Sequence, residues 1–147
     1  METNVDSLLA VLPTPTVDSR PFWEGCNAET LLLQRCAACD HVFYFPRRLC
    51  PACGATELAW EASSGLGTIY SFSQVLVAFQ GPEWNSQLPY TVVLVDLDEG
   101  PRMLSRWHGP SATVPSVGDR VRVTFPSVDG QKLPFFTADN LEPRCPS

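Results

Sequence analysis

The sequence predicts a mainly β protein: a short N-terminal helix, a small cysteine-rich ribbon, then a five-stranded barrel. Three observations lead there. Two Cys-x-x-Cys pairs lie within residues 35–53, RCAACDHVFYFPRRLCPAC. From Gly65 onward the texture changes to alternating β-branched and aromatic residues in five runs. Stretches rich in Gly, Pro, Asn, Asp and Ser (GPEWNSQ, DEGP, HGPSATVPSVG and SVDG) separate those runs and read as turns. At 147 residues and 44% hydrophobic content, the chain is one domain of ordinary size or two small modules sharing an interface.

Residues 1–15 read as a loose arm ending in Pro-Thr-Pro. In TVDSRPFWEG, Asp18 or Ser19 caps a helix, Pro21 suits its first turn, and Phe22 and Trp23 give it an apolar face. Gly25 and Asn27 keep that helix short. TLLLQRC (30–36) is a strand leading into the cysteines. The helix and ribbon are expected over 16–62, the barrel over 63–142 and a tail over 143–147. The barrel strands are expected at 67–79, 89–98, 102–107, 119–125 and 133–139, and five short strands after a metal-binding module point to the OB-fold. The first of them is long, with Gly65 and Gly67 at its entrance, as a strand that must bend to serve both sides of a barrel requires.

Cys36-Ala-Ala-Cys39 and Cys50-Pro-Ala-Cys53 are separated by ten residues. Each pair makes a tight turn whose N–H groups point at the thiolates, and a hairpin between them brings four sulfurs to one tetrahedral centre. Zn²⁺ suits four soft thiolates and is indifferent to redox state, so the module reads as a rubredoxin-like zinc ribbon. Iron is the alternative occupant. A redox dithiol would use a single Cys-x-x-Cys on a βαβ background. Four thiolates close the coordination sphere, which makes the metal a structural clip. Cys26 and Cys145 are left over, as an ordinary small apolar residue and a tail cysteine. The two histidines, His41 and His108, read as packing or surface residues, and no self-contained active site is legible.

Charge and hydropathy exclude several classes. The formal net charge is -6, and the barrel runs carry only scattered Arg102, Arg106, Arg120 and Arg122. An oligonucleotide-binding barrel wants a basic groove interleaved with aromatics, so nucleic-acid binding is not expected. No apolar run approaches the ~18 residues of a spanning helix. The N-terminus lacks the basic start of a secretory signal, and the expected location is the cytoplasm.

The order of PFWEG, CAAC…FPRRLCPAC, GLGTIYSFSQV, PYTVVLVDLDEGPRMLSRWHG and VGDRVRVTF resembles the zinc-ribbon/OB-fold proteins long described as a domain of unknown function and now associated with acyl-CoA metabolism. The resemblance covers roughly residues 16–140. It implies a non-catalytic accessory subunit that pairs with a thiolase-fold enzyme (thiolase, acyltransferase or aldolase) in a heterotetramer or larger assembly. Some members instead accompany hot-dog-fold enoyl-CoA hydratases. It also implies a CoA thioester as a ligand shared with the partner. Arg47 and Arg48 are then the candidates for phosphate contacts, with Phe43, Tyr44 and Phe45 as neighbouring apolar surface; the alternative is that Phe43–Phe45 form ribbon core and the arginines are solvated. Trp107 and the turn GPEWNSQ are candidate docking points, because the four tryptophans exceed what a small interior holds; the alternative for Trp107 is a place in the core.

Overall fold

The computed structural model describes residues 12–79, 82–109 and 113–139. Of the expected arm, residues 1–11 lie outside that range, as do the tail 143–147 and Cys145. The helix α1 runs Arg20–Asn27 with Pro21 in its first turn, and so continues through Gly25 and Asn27. Ser19 stands at its N-cap, but its hydroxyl accepts the Thr16 N–H at 2.8 Å and not a helix amide. Glycine is tolerated in α1 because the helix lies close on the next strand: a Cβ at Gly25 would sit 2.9 Å from the Leu32 side chain.

Three antiparallel strands build the ribbon: β1 (Leu32–Cys36), β2 (Val42–Phe43) and β3 (Leu58–Ala62), in the order β2-β1-β3. Neither β2 nor β3 was legible in the sequence. Both are recruited by β1, with Gln34 opposite Phe43 on one side and Trp60 on the other.

A five-stranded antiparallel sheet follows, ordered β10-β7-β4-β5-β6, from β4 (Leu66–Val75), β5 (Tyr90–Leu97), β6 (Arg102–Arg106), β7 (Arg120–Thr124) and β10 (Phe135–Ala138). A small hairpin, β8 (Ser127–Val128) with β9 (Gln131–Lys132), turns at Asp129-Gly130, both at positive φ. The central strand β4 pairs with β7 through Leu66–Thr68 and with β5 along its length, with a bulge at Tyr70. Its glycines allow this. Gly65 holds φ +76°, and a Cβ on Gly67 would lie 2.7 Å from the Asp96 carbonyl oxygen. The run 76–79 leaves the sheet, because the partner strand begins at Tyr90, opposite Val75. The barrel closes where β6 meets β10: Trp107 bridges Phe136, the His108 N–H donates to the Phe136 carbonyl at 2.7 Å, and the Ser105 hydroxyl donates to the Pro134 carbonyl.

One core runs through helix, ribbon and barrel. Phe22 and Cys26 from α1, with Leu31 and Leu33 at β1, pack with Ile69, Val93, Val95, Met103, Val121 and Phe136. Burying Phe22 alone is worth about 1.5–3 kcal/mol. The ribbon thus plugs onto the barrel. No helix among the described residues is long and apolar enough to cross a membrane.

Candidate metal centre and adjoining cleft

The two Cys-x-x-Cys turns repeat one backbone pattern. In the first, the Asp40 N–H donates to the Cys36 carbonyl at 2.9 Å and the Cys36 N–H to the His41 carbonyl at 2.9 Å. In the second, Gly54 N–H donates to Cys50 at 2.8 Å and Cys50 N–H to Ala55 at 2.9 Å. Each turn is closed by a residue at positive φ, Asp40 at 67° and Gly54 at 79°. The Ala52 N–H points at the Cys50 sulfur from 3.4 Å.

All four sulfurs lie within 4.8 Å of one another, with Cys36 Sγ 3.6 Å from Cys53 Sγ and Cys39 Sγ 3.6 Å from Cys50 Sγ. Four thiolates about 2.3 Å from a tetrahedral Zn²⁺ sit about 3.8 Å apart. The residues fit the ion. Burial acts to raise the Cys50 pKa, but the amides of Cys53 and Ala52 and the Cys39 and Cys36 thiols outweigh it and hold it down to about 7. Cys39, despite the His41 backbone bond, is pushed up to about 12 by burial and the other three thiols, so a metal must displace protons from the cluster. Cys26 lies apart from the cluster, and burial pushes its thiol up to about 12, as for an inert core residue.

The ribbon hairpin between the pairs is pinned by Gln34. This buried side chain donates to the Arg47 carbonyl at 3.0 Å and accepts the Arg47 N–H at 2.8 Å. Backbone is thereby fixed and the Arg47 side chain is left outside. Phe43 is buried against Cys36 and Cys50; Tyr44 packs edge-on against Phe22, 5.7 Å between centroids; Phe45 is 64% exposed. The FYF run therefore serves core, seam and surface in turn.

Phe43, Tyr44, Phe45 and Arg47 meet in a cleft of about 640 Å³, walled across from the ribbon by the β5–β6 turn, Glu99–Arg102. Glu99 ties this turn to the ribbon's exit, accepting the Ser63 hydroxyl at 2.7 Å and the Ser64 N–H at 2.8 Å. Of the cleft's arginines, Arg35 holds Asp40 and Glu61, and Arg102 holds Asp96. Arg47 faces the Phe45 ring at 5.8 Å and has no carboxylate partner among the described residues. Arg48 is not in the cleft lining and pairs with Asp18 at 2.9 Å. Trp107 is also elsewhere, half-buried against the core and closing the barrel.

Both histidines lie at the surface beside aromatic rings. His41 stacks on Phe43 at 5.9 Å. His108 lies 6.1 Å from the Phe135 ring, and partial desolvation together with the Arg106 charge lowers its pKa. All four tryptophans are half-buried. The strongly exposed apolar side chains among the described residues include Val17, Phe45, Leu76, Val77, Phe79, Leu104 and Val117. The exposure of Leu76, Val77 and Phe79 follows from where β4 runs out of partner, which composition does not signal.

Comparison with known proteins agrees with the architecture. The family pattern described as the ChsH2 rubredoxin-like zinc ribbon domain matches residues 23–59, and that of the ChsH2 C-terminal OB-fold domain matches residues 60–126. The chain is 32% identical over 130 residues to a probable enoyl-CoA hydratase alpha subunit of Thermomonospora curvata, covering 86% of this chain and 40% of the relative. It thus spans about two-fifths of the length of that relative. It is 32% identical over 95 residues to a DUF35 domain-containing scaffold protein of Methanothermobacter thermautotrophicus, covering 64% of this chain and 70% of the relative. Among solved structures, a chain of the Ltp2-ChsH2(DUF35) aldolase superposes with a TM-score of 0.75 at 28% identity, over 86% of this chain and 98% of that one. Ribbon, barrel and sequence together make this chain a member of the DUF35 family, with the zinc-ribbon and OB-fold domains of ChsH2.

Proposed function

We propose that the chain is a non-catalytic accessory subunit of an acyl-CoA-processing complex in the cytoplasm. It docks on a thiolase-fold enzyme (a thiolase, an acyltransferase or a retro-aldol lyase), stabilises it and helps shape its acyl-CoA site. The observation that carries this reading is the likeness over nearly the whole of the chain from the Ltp2-ChsH2(DUF35) aldolase. Within it, Cys36, Cys39, Cys50 and Cys53 hold a structural Zn²⁺, which fixes the hairpin carrying Arg47. A bound metal supplies rigidity and no open coordination position.

The cleft suits a shared ligand. CoA carries several phosphate charges, and the guanidinium of Arg47 offers paired N–H donors beside the exposed face of Phe45. Arg48, already holding Asp18, contributes less. Chemistry belongs to the partner in this reading. A second reading, partnership with a hot-dog-fold hydratase, is favoured by the identity to a probable enoyl-CoA hydratase alpha subunit, of which this chain covers 40%.

Co-expression with a thiolase-fold enzyme of the same host tests both. One heterotetrameric or larger complex should survive gel filtration, with activity weak or absent when either chain is omitted. Within that complex, Arg47→Ala with Arg48→Ala should raise KM for acyl-CoA several-fold at unchanged fold. A chain that stays monomeric with thiolase-fold candidates but binds a hydratase would decide for the second reading.

A further inference from the structure

A second concavity lies at the barrel's closure, beside the edge strand β6. It has a volume of about 400 Å³, the lower part of the range for small-molecule sites. Its walls are apolar and aromatic, with Trp84, Tyr90, Val92, Leu104 and Phe135 among them. Trp84 and Tyr90 stand 5.8 Å apart as tilted neighbours. Tyr44 lines both this groove and the ribbon cleft, so the two adjoin without sharing a cation.

The polar feature of the groove is Arg106. Its guanidinium carbon lies 4.9 Å from the Tyr90 ring centroid and 5.8 Å from that of Phe135. Among the described residues its one polar contact is with the Gln87 side-chain oxygen at 3.3 Å. Among the described arginines only Arg35 and Arg106 are half-buried. Arg35 holds two carboxylates, whereas Arg106 holds none among the described residues. A guanidinium withdrawn from water without a counter-ion is costly, and two aromatic faces offset that only in part. Among the described residues no carboxylate lies within ion-pair distance of it.

We propose that this groove binds a small amphipathic carboxylate, its head paired with Arg106 and its flat apolar body lying against Trp84, Tyr90 and Leu104. The carboxylate completes a bidentate pair for which the guanidinium geometry is suited. The body replaces water on the aromatic walls. The inference stands apart from the acyl-CoA reading, which concerns Arg47.

Calorimetric titration of the full, zinc-loaded chain tests it with three probes: 2-naphthoate, its neutral amide 2-naphthamide, and inorganic phosphate. Naphthoate should bind at least tenfold more tightly than either of the others. Arg106→Gln should abolish the difference between naphthoate and naphthamide, and Arg106→Lys should restore part of it. Leu104→Glu, at a rim position that is 60% exposed and so compatible with folding, should weaken naphthoate at least tenfold by placing a like charge in the groove. Equal affinity for acid and amide would overturn the proposal in favour of a plain apolar surface. Phosphate binding as tight as naphthoate, no naphthoate binding at millimolar concentration, or indifference to Leu104→Glu would overturn it as well.

Discussion

Around its cysteines the ribbon buries Cys36, Phe43 and Cys50, with Ala55 and Leu58 against them. The barrel side of the molecule buries Ile69, Val93, Val95, Leu97, Met103, Val121 and Phe136 in one cluster. A group of three cannot offset the conformational entropy of a hairpin and two turns, whereas the larger cluster contributes apolar burial from five strands. Two adjoining regions of one chain thus use different physics. The ribbon depends on thiolate coordination and the barrel on packing, and the two meet through Phe22, Leu31 and Leu33, which belong to the larger core.

The largest effect should come from the metal. Structural zinc contributes about 10–16 kcal/mol of apparent binding energy, much of it realised as folding. Cys36→Ser, or chelation of the parent, should remove one equivalent of zinc and collapse soluble yield, read by elemental analysis and circular dichroism. A folded, metal-free protein with four freely titrating thiols would break the contrast between the regions.

A middle-sized effect separates the two cores. Phe136→Ala in the barrel should cost about 3–5 kcal/mol in urea denaturation. Phe43→Ala in the zinc-loaded ribbon should cost less, because the thiolates still fix the surrounding backbone. The reverse order would mean that the ribbon is held mainly by packing.

The smallest effect tests the seam. Burial pushes Glu99 up, but the Ser64 N–H and Ser63 hydroxyl outweigh it and hold its pKa below the usual carboxylate value. A carboxylate lowered in the folded state contributes stability that is present above its unfolded pKa, about 4.3, and is lost as pH falls through the folded value. The group is only half-buried, so solvent screening limits the contribution to under about 1 kcal/mol. Glu99→Gln should therefore destabilise slightly at pH 7, and the difference from the parent should shrink as pH drops below about 4. A gap that widens on acidification would remove Glu99 from the seam.

The sequence by itself determined the strand content of the barrel, the metal-site spacing and the ribbon-then-barrel order. These are local or periodic properties: alternation fixes which face of a strand is buried, and Cys-x-x-Cys fixes a turn. Even there it overran at 76–79, because a strand ends where its partner does. β3 lay beyond its reach, since LAWEA becomes a strand by pairing with β1 and not by its own pattern. The candidate site divides the same way. Adjacent in sequence, Phe43, Tyr44, Phe45, Arg47 and Arg48 looked alike, but only the fold separates them: Phe43 goes to the core, Tyr44 to the seam and Phe45 to the surface. Arg48 is claimed by Asp18, thirty residues away, while Gln34 turns Arg47 outward without a carboxylate among the described residues. In the sequence Arg106 is one of several scattered arginines. Its burial between Tyr90 and Phe135 exists only because the barrel closes there, bringing β5, β6 and β10 to one place. Partners distant in the chain decide which charges are neutralised, and that is a property of tertiary structure alone.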